Sequence, residues 1–281
     1  MALETAYVGT KGTKLVSSRA LNNAVIGPGS VQSRRPFTAF AAITQNERAG
    51  LSNYHSFQAK LERRFSGGLT AIGSYTLSHS IECCSGARDA NNQVWERMTS
   101  SFDVRHRQVN SFSYDLPFGP NRTFANGTGP ASKIIGGWQV AGIVTFQTGN
   151  PFTPTVSGDI AGVGDTSSRP DRIKDGNLAR SDRTASKWFD TSAFVRPAAG
   201  TYGNSGQNIV YGPGVNNLDL TLTKITRFGE NRRVEFRTEL FNALNHGQFL
   251  RPNTTVGTAQ FGSITAARDA RQIQFGIKLV Y

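Results

Sequence analysis

Methionine and cysteine are nearly missing from this sequence, with two of each in 281 residues. Two cysteines close one bridge at most, which excludes a disulfide scaffold. Long apolar runs are absent too: no window approaches the roughly 18 apolar residues of a membrane-crossing helix. Charged residues make up only 18% of the chain, too few for a coiled coil or a charged disordered tail. The opening residues Met1-Ala2-Leu3-Glu4-Thr5-Ala6-Tyr7-Val8 carry no basic stretch, apolar core or small-residue cleavage site, so no signal peptide is expected there. Acids are the scarcer charge, 19 against 31 Lys plus Arg, giving a formal net charge of +12. In abundance are 30 glycines and 18 phenylalanines, set among Asn, Ser and Thr. That is the profile of an all-β protein.

Alternation with period two is the dominant signal. At the C-terminus Ile273, Phe275, Ile277, Leu279 and Tyr281 fall on one face, against Gln272, Gln274, Gly276, Lys278 and Val280. The pattern recurs over 54–65 (Phe57, Ala59, Leu61), 69–78 (Leu69, Ala71, Tyr75, Leu77) and 108–116 (Phe112, Tyr114, Leu116). It continues over 138–148 (Trp138, Val140, Val144, Phe146), 217–223 (Leu218, Leu220, Leu222) and 233–241 (Val234, Phe236, Leu240). A shorter segment at 3–9 completes about eight strands. Several have the roughly 9–11 residues that a tilted membrane strand needs. A soluble antiparallel sheet with one wet face is the competing reading.

Loop lengths separate the two. The connections run long (to about 53), tight (66–68), long (79–102), intermediate (117–134), very long (150–216), tight (228–232) and long (243–269). An outer-membrane barrel sorts its loops this way, with short turns at the periplasmic end and long loops outside. The expected fold is therefore all-β: an antiparallel meander of about eight strands, the C-terminal portion of a transmembrane β-barrel with long external loops. Phe57, Leu61, Tyr75, Val234, Phe236, Phe275 and Ile277 should face lipid. Aromatic girdles are expected from Phe65, Tyr75, Phe112, Tyr114, Trp138, Phe146, Phe228, Phe241 and Tyr281. The last eight residues, Gln274 to Tyr281, resemble the β-signal read by the barrel-assembly machinery. Gln274, Gly276, Leu279 and Tyr281 carry it, with the glycine allowing close backbone approach.

Several motifs resemble, in collinear order, the Oar-like group of TonB-dependent outer-membrane receptors, which carry a carboxypeptidase-regulatory-like N-terminal domain. Tyr7-Val8-Gly9-Thr10-Lys11-Gly12-Thr13-Lys14-Leu15 opens the match. Leu61-Glu62-Arg63-Arg64-Phe65, Ser74-Tyr75-Thr76-Leu77-Ser78 and Tyr114-Asp115-Leu116-Pro117-Phe118-Gly119 follow. Gly137-Trp138-Gln139-Val140, Thr148-Gly149-Asn150-Pro151-Phe152, Trp188-Phe189-Asp190 and Phe241-Asn242-Ala243-Leu244-Asn245-His246 extend it over nearly all of 1–281. The resemblance implies a barrel of 22 strands around a plug. Residues 1–281 would be its C-terminal segment, without signal peptide, plug or first strands. It also implies uptake of a scarce or bulky solute, energised by TonB acting through the missing N-terminal region. Alternatives are a complete small barrel with a structural or adhesive role and a secreted carbohydrate-binding sandwich. The expected location is the Gram-negative outer membrane, among its lipid and lipopolysaccharide.

No enzymatic constellation is present: Gly-x-Ser-x-Gly, the phosphate-cradling glycine loop and His-Glu-x-x-His are all lacking, and no cofactor is expected. His79, Glu82, Cys83 and Cys84 cluster, but adjacent cysteines suit a metal poorly; a vicinal disulfide or two thiols is the simpler reading. Asp159, Asp165, Asp171 and Asp175 could hold calcium only without EF-hand spacing. The positive charge is dispersed among acids and apolar residues, unlike a nucleic-acid surface, so no nucleic-acid partner is expected. Trp188, Phe189, Phe194 and Tyr202 are the loop aromatics suited to grip a solute, unless they pack the loop against itself.

Overall fold

An extended backbone leaves its N–H and C=O groups pointing sideways, and they must be paired. The computed structural model of the chain describes all residues except 65–66, 84–88, 90–96, 121, 128 and 230–231. Eight long strands satisfy this pairing in sequence order. They are β1 (Ala2–Ala20), β2 (Thr44–Arg64), β3 (Leu69–Cys83), β4 (His106–Asp115), β5 (Trp138–Gln147), β6 (Val215–Phe228), β7 (Arg232–Phe241) and β8 (Gln272–Val280). Each pairs antiparallel with its neighbour in sequence, as a meander. A short segment, Arg97–Thr99, extends the pairing at the end of β3.

The strands outrun their apolar patterns. The alternation predicts 3–9 and 54–65, whereas β1 and β2 run for 19 and 21 residues. The excess lies on the long-loop side, where Thr10–Ala20 pairs with Thr44–Tyr54 through two register shifts around Leu15. Most side chains there are exposed, so nothing selects apolar residues for one face and the alternation has no cause. The first long connection shrinks from 11–53 to 21–43 as a result. The last strand stops at Val280, one residue short of Tyr281.

Directly opposed residues on neighbouring strands share a face. One row runs Leu3, Leu61, Gly73, Asn110, Val144, Leu218. Another runs Leu69, Tyr114, Val140, Leu222, Thr238, Phe275. Phe57, Leu61, Tyr75, Val234, Phe236, Phe275 and Ile277 all belong to this one face, and Phe236 stacks on Phe275 with ring centroids 6.1 Å apart. The other face carries most of the strand charges, paired along the strands as Arg64–Glu62 (3.2 Å), Arg233–Glu235 (2.9 Å) and Arg237–Glu239 (3.6 Å).

Among the described residues no second sheet covers the apolar face. Phe57, Leu61, Phe275 and Ile277 remain 46, 43, 66 and 71% exposed, whereas a soluble sandwich would bury them. The sheet is also open. Among the described residues no pairing joins β1 to β8, so these eight strands do not close into a small barrel by themselves. Phe241 needs correction as a girdle residue: it opposes Gln272 and shares the face of Arg237 and Glu239. One step of a strand reverses the face, and Phe241 lies one step beyond Leu240. Phe65 falls outside the described residues. A second departure from the expected meander lies in the loops, where Thr155–Val156 pairs in parallel with Thr255–Val256.

Lys224 stands on the apolar face, opposite Phe236. Its Nζ sits 5.6 Å from the Trp138 ring centroid and donates to the carbonyls of Lys133 (2.7 Å) and Gly136. Those carbonyls end a six-residue helix, α1 (Pro130–Ile135), in the β4–β5 connection. A cation at a helix C-terminus satisfies the carbonyls left without intrahelical donors. Lys224→Met should therefore lower the urea unfolding stability in micelles by about 1–3 kcal/mol. A change at exposed Arg227 should stay within about 0.5 kcal/mol.

Candidate functional site

The 150–216 region is too long to be a simple turn, and it folds on itself. Its two ends meet where Pro151–Phe152 pairs with Val210–Tyr211 and the Gly212 N–H donates to the Asn150 carbonyl (2.9 Å). At this neck a Cβ on Gly149 would overlap the Gly212 carbonyl oxygen. Beyond the neck Phe152, Phe189, Ala193, Phe194 and Val210 form a buried core. Phe189 sits edge-on to Phe152, Phe194 and Phe261, at 5.6, 6.0 and 5.2 Å between centroids.

Other loops join this core and make one platform. Phe261 and Val256 come from the 243–269 loop, and Ile264 N–H donates to the Ala185 carbonyl at 2.7 Å. The 21–43 loop reaches across through Ala24 N–H to the Val163 carbonyl (2.9 Å) and Arg34 Nη2 to the Gly162 carbonyl (2.7 Å). Asn208 Nδ2 donates to the Thr99 carbonyl (2.8 Å) and Asn150 Nδ2 to that of Asp103 (3.2 Å), tying in the β3–β4 connection. All four long connections are thus fastened together at one end of the sheet.

The candidate loop aromatics occupy different places. Phe189 and Phe194 are 1 and 3% exposed, filling the packing role that the sequence left open. Trp188 packs on their edge and donates its Nε1–H to the Tyr211 carbonyl (2.9 Å). Tyr202 lies apart, half-buried, with its hydroxyl 3.2 Å from Asp89 Oδ1; burial, and next the Asp89 charge, push its pKa up.

The four loop aspartates are also apart in function. Asp159 accepts from Val163 and Gly164 N–H, Asp165 from Ser167, Asp171 from Asn204 and Asp175 from Asn177. Asp159, Asp165 and Asp175 close local turns and Asp171 ties to the distant 204 segment, and among the described residues no three His, Cys, Asp or Glu side chains converge. Cys83 is disulfide-bonded, the first of the two readings open for the cysteine pair; Cys84 lies outside the described residues. At the β-signal, Gln274 and Gly276 face Glu239 and Arg237 on the polar side, and Leu279 faces Val234. A Cβ on Gly276 would meet nothing within 4 Å, so no close approach inside this chain requires that glycine. Tyr281 is fully exposed beyond the strand.

A cleft of about 980 Å³ opens between the platform and the sheet. Its floor includes Tyr75, Gln108, Phe146 and Asn216, successive members of one row on the apolar face. Tyr75 Oη lies 2.7 Å from His106 Nδ1. The roof brings Arg180, Arg183 and Trp188 from the loop, with the Arg183 guanidinium 5.7 Å from the Trp188 ring centroid. Sequence reasoning missed these arginines, because nothing local in Arg180-Ser181-Asp182-Arg183 tells which way the loop folds.

The family profile described as "Outer membrane beta barrel domain" matches residues 1–274. The chain belongs to that family. Its place is the outer membrane, and its sheet is barrel wall. No curated protein matches it. Among solved structures it is similar to the outer membrane transporter YddB from Escherichia coli, at 11% identity and a TM-score of 0.49. The match covers 99% of this chain and 30% of the transporter's.

Two expectations follow for this barrel's platform. Gly149→Ala should open the neck, seen as faster hydrogen exchange across 150–211 with the strands unchanged. Asp190 accepts from Lys174 Nζ (2.8 Å) and from Ser192 Oγ and N–H (2.7 and 3.1 Å). These, Lys174 foremost, hold its pKa down to about 2. A depressed carboxylate stabilises the fold above its ordinary pKa of about 3.9 and loses that contribution as pH falls toward its folded value. The exchange difference between wild type and Asp190→Asn should be full above about pH 4 and close as the pH approaches about 2.

Proposed function

We propose that this barrel wall is the C-terminal part of a TonB-dependent receptor that takes up a scarce or bulky solute. The observation that carries the reading is the fused platform of four long loops at one end of the sheet, a capture surface in place of separate short turns. The open edges of β1 and β8 support it as well. In lipid every backbone group needs a partner, so further strands of a larger barrel would flank them. The resemblance of the Tyr7–Leu15, Trp188–Asp190 and Phe241–His246 segments to Oar-like receptors points the same way. TonB would act through a plug belonging to the region before residue 1, and the barrel-assembly machinery would receive β8. The wall has no catalytic role in this reading.

The apolar face turns to lipid and the charged face to the lumen. Ile277→Arg then puts a cation into the bilayer at a cost of up to about 2–4 kcal/mol, while Lys278→Glu stays in the lumen. Heat-modifiable mobility of the receptor should show impaired assembly for Ile277→Arg and normal assembly for Lys278→Glu; equal assembly would reverse the facing. The transport role is tested by growth on limiting nutrients. A strain lacking residues 150–209 of this wall should share a nutrient defect with a strain lacking TonB. Disjoint defects would refute the receptor assignment.

A further inference from the structure

The 980 Å³ cleft lies mainly on the apolar side of the sheet. Among its strand residues Tyr75, His106, Gln108, Phe146 and Asn216 stand on the apolar face, the side that contains Phe57 and Leu61, and Gln147 and Val215, at the strand ends, stand on the other. They lie toward the strand ends that enter the long loops. The cleft therefore opens where, on the reading proposed above, the outer leaflet ends and the external loops begin.

Its charge is one-sided. Arg105, Arg180, Arg183, His106 and His246 line it, and among the described residues no Asp or Glu does. Arg183, which lines the cleft, is anchored through its Nε to the Leu178 carbonyl at 2.9 Å and by the Trp188 ring. Burial, and then the neighbouring charge of Arg180, lower its pKa. The described lining thus brings two guanidiniums together with no carboxylate among them. Planar forks of this kind match phosphate oxygens in pairs. Aromatic and amphipathic side chains beside them suit the boundary between headgroup and acyl chain.

We propose that this cleft binds the phosphorylated headgroup of an outer-leaflet lipid, with Arg180 and Arg183 on its phosphate and its acyl chains running down the apolar face from Tyr75 and Phe146. The volume admits a phosphorylated sugar. A soluble anion would satisfy the arginines equally, but it would leave the apolar floor without a partner; that floor is the reason for choosing a lipid.

The site rests on the lipid-facing assignment, and the experiment separates the two. The full chain, with whatever strands accompany it in the native receptor, is assembled into phosphatidylcholine nanodiscs. It is titrated with bis-phosphorylated lipid A, with dephosphorylated lipid A, and with inorganic phosphate as competitor. Native mass spectrometry reads the lipid retained per protein. One bis-phosphorylated lipid A should be retained per protein, and the dephosphorylated form should bind about tenfold more weakly or less, the loss of one charge-assisted hydrogen-bond set. Arg180→Gln with Arg183→Gln should cost a similar factor, and Arg227→Gln, on the opposite face, none. Equal retention of the two lipids, or full retention by the double variant with unchanged heat-modifiable mobility, would overturn the site. Displacement by inorganic phosphate would assign the cleft to a soluble anion instead. A spin label at Ile277→Cys reports the facing independently: if it contacts no lipid, the orientation fails, and the site with it. If it contacts lipid while lipid A is not retained, only the site fails.

Discussion

Backbone hydrogen bonding in a medium without water is the constraint on which this molecule depends. A strand in lipid has no solvent to take up its N–H and C=O groups, so each must find a neighbouring strand. The meander answers this by pairing neighbours in sequence: each of the eight long strands pairs with the long strands adjacent to it along the chain. Once pairing is fixed, side chains have only two places to go. Register carries the choice across eight strands, so that Leu3, Leu61, Val144 and Leu218 end on the same face though nearly the whole chain separates them.

That sorting reverses the usual logic of a protein interior. On the proposed orientation the apolar face is the outside, and no second sheet among the described residues packs on it. Polar residues on the other face neutralise each other locally, as Arg233 with Glu235 and Arg237 with Glu239. The one hydrophobic core with rings packed on rings belongs to the loops, around Phe152, Phe189 and Phe194. There water is present on all sides and the ordinary hydrophobic effect operates. The same chain thus uses two solvents and two opposite burial rules, divided by the neck at Gly149 and Gly212.

Lys224 and the cleft arginines illustrate how the boundary between those solvents is managed. Lys224 lies on the apolar face yet gives its charge to helix-terminal carbonyls and an aromatic ring. Arg183 has a ring and one carbonyl, and among the described residues no acid lines the cleft beside it. A cation beside a membrane must be covered by the protein or by an anion that comes with the membrane.

Period two needs no tertiary information, since a strand sorts its own side chains, and the sequence by itself therefore determined the eight strands, their facing and the separation of long loops from tight turns. The pattern missed the extension Thr10–Ala20, where most side chains are exposed and alternation has no cause, and it misplaced Phe241, one residue beyond the apolar set of its strand. Tertiary structure alone decided the rest. Phe189 and Trp188 are adjacent aromatics with the same local signal, yet the loop's return through Val210 buries the first and leaves the second at the rim of the cleft. Arg105 and Arg183 lie far apart along the chain in unremarkable surroundings. Only the fold of the loop over the sheet brings them to one cavity, because side-chain direction in an irregular segment is set by long-range packing and not by any period in the sequence.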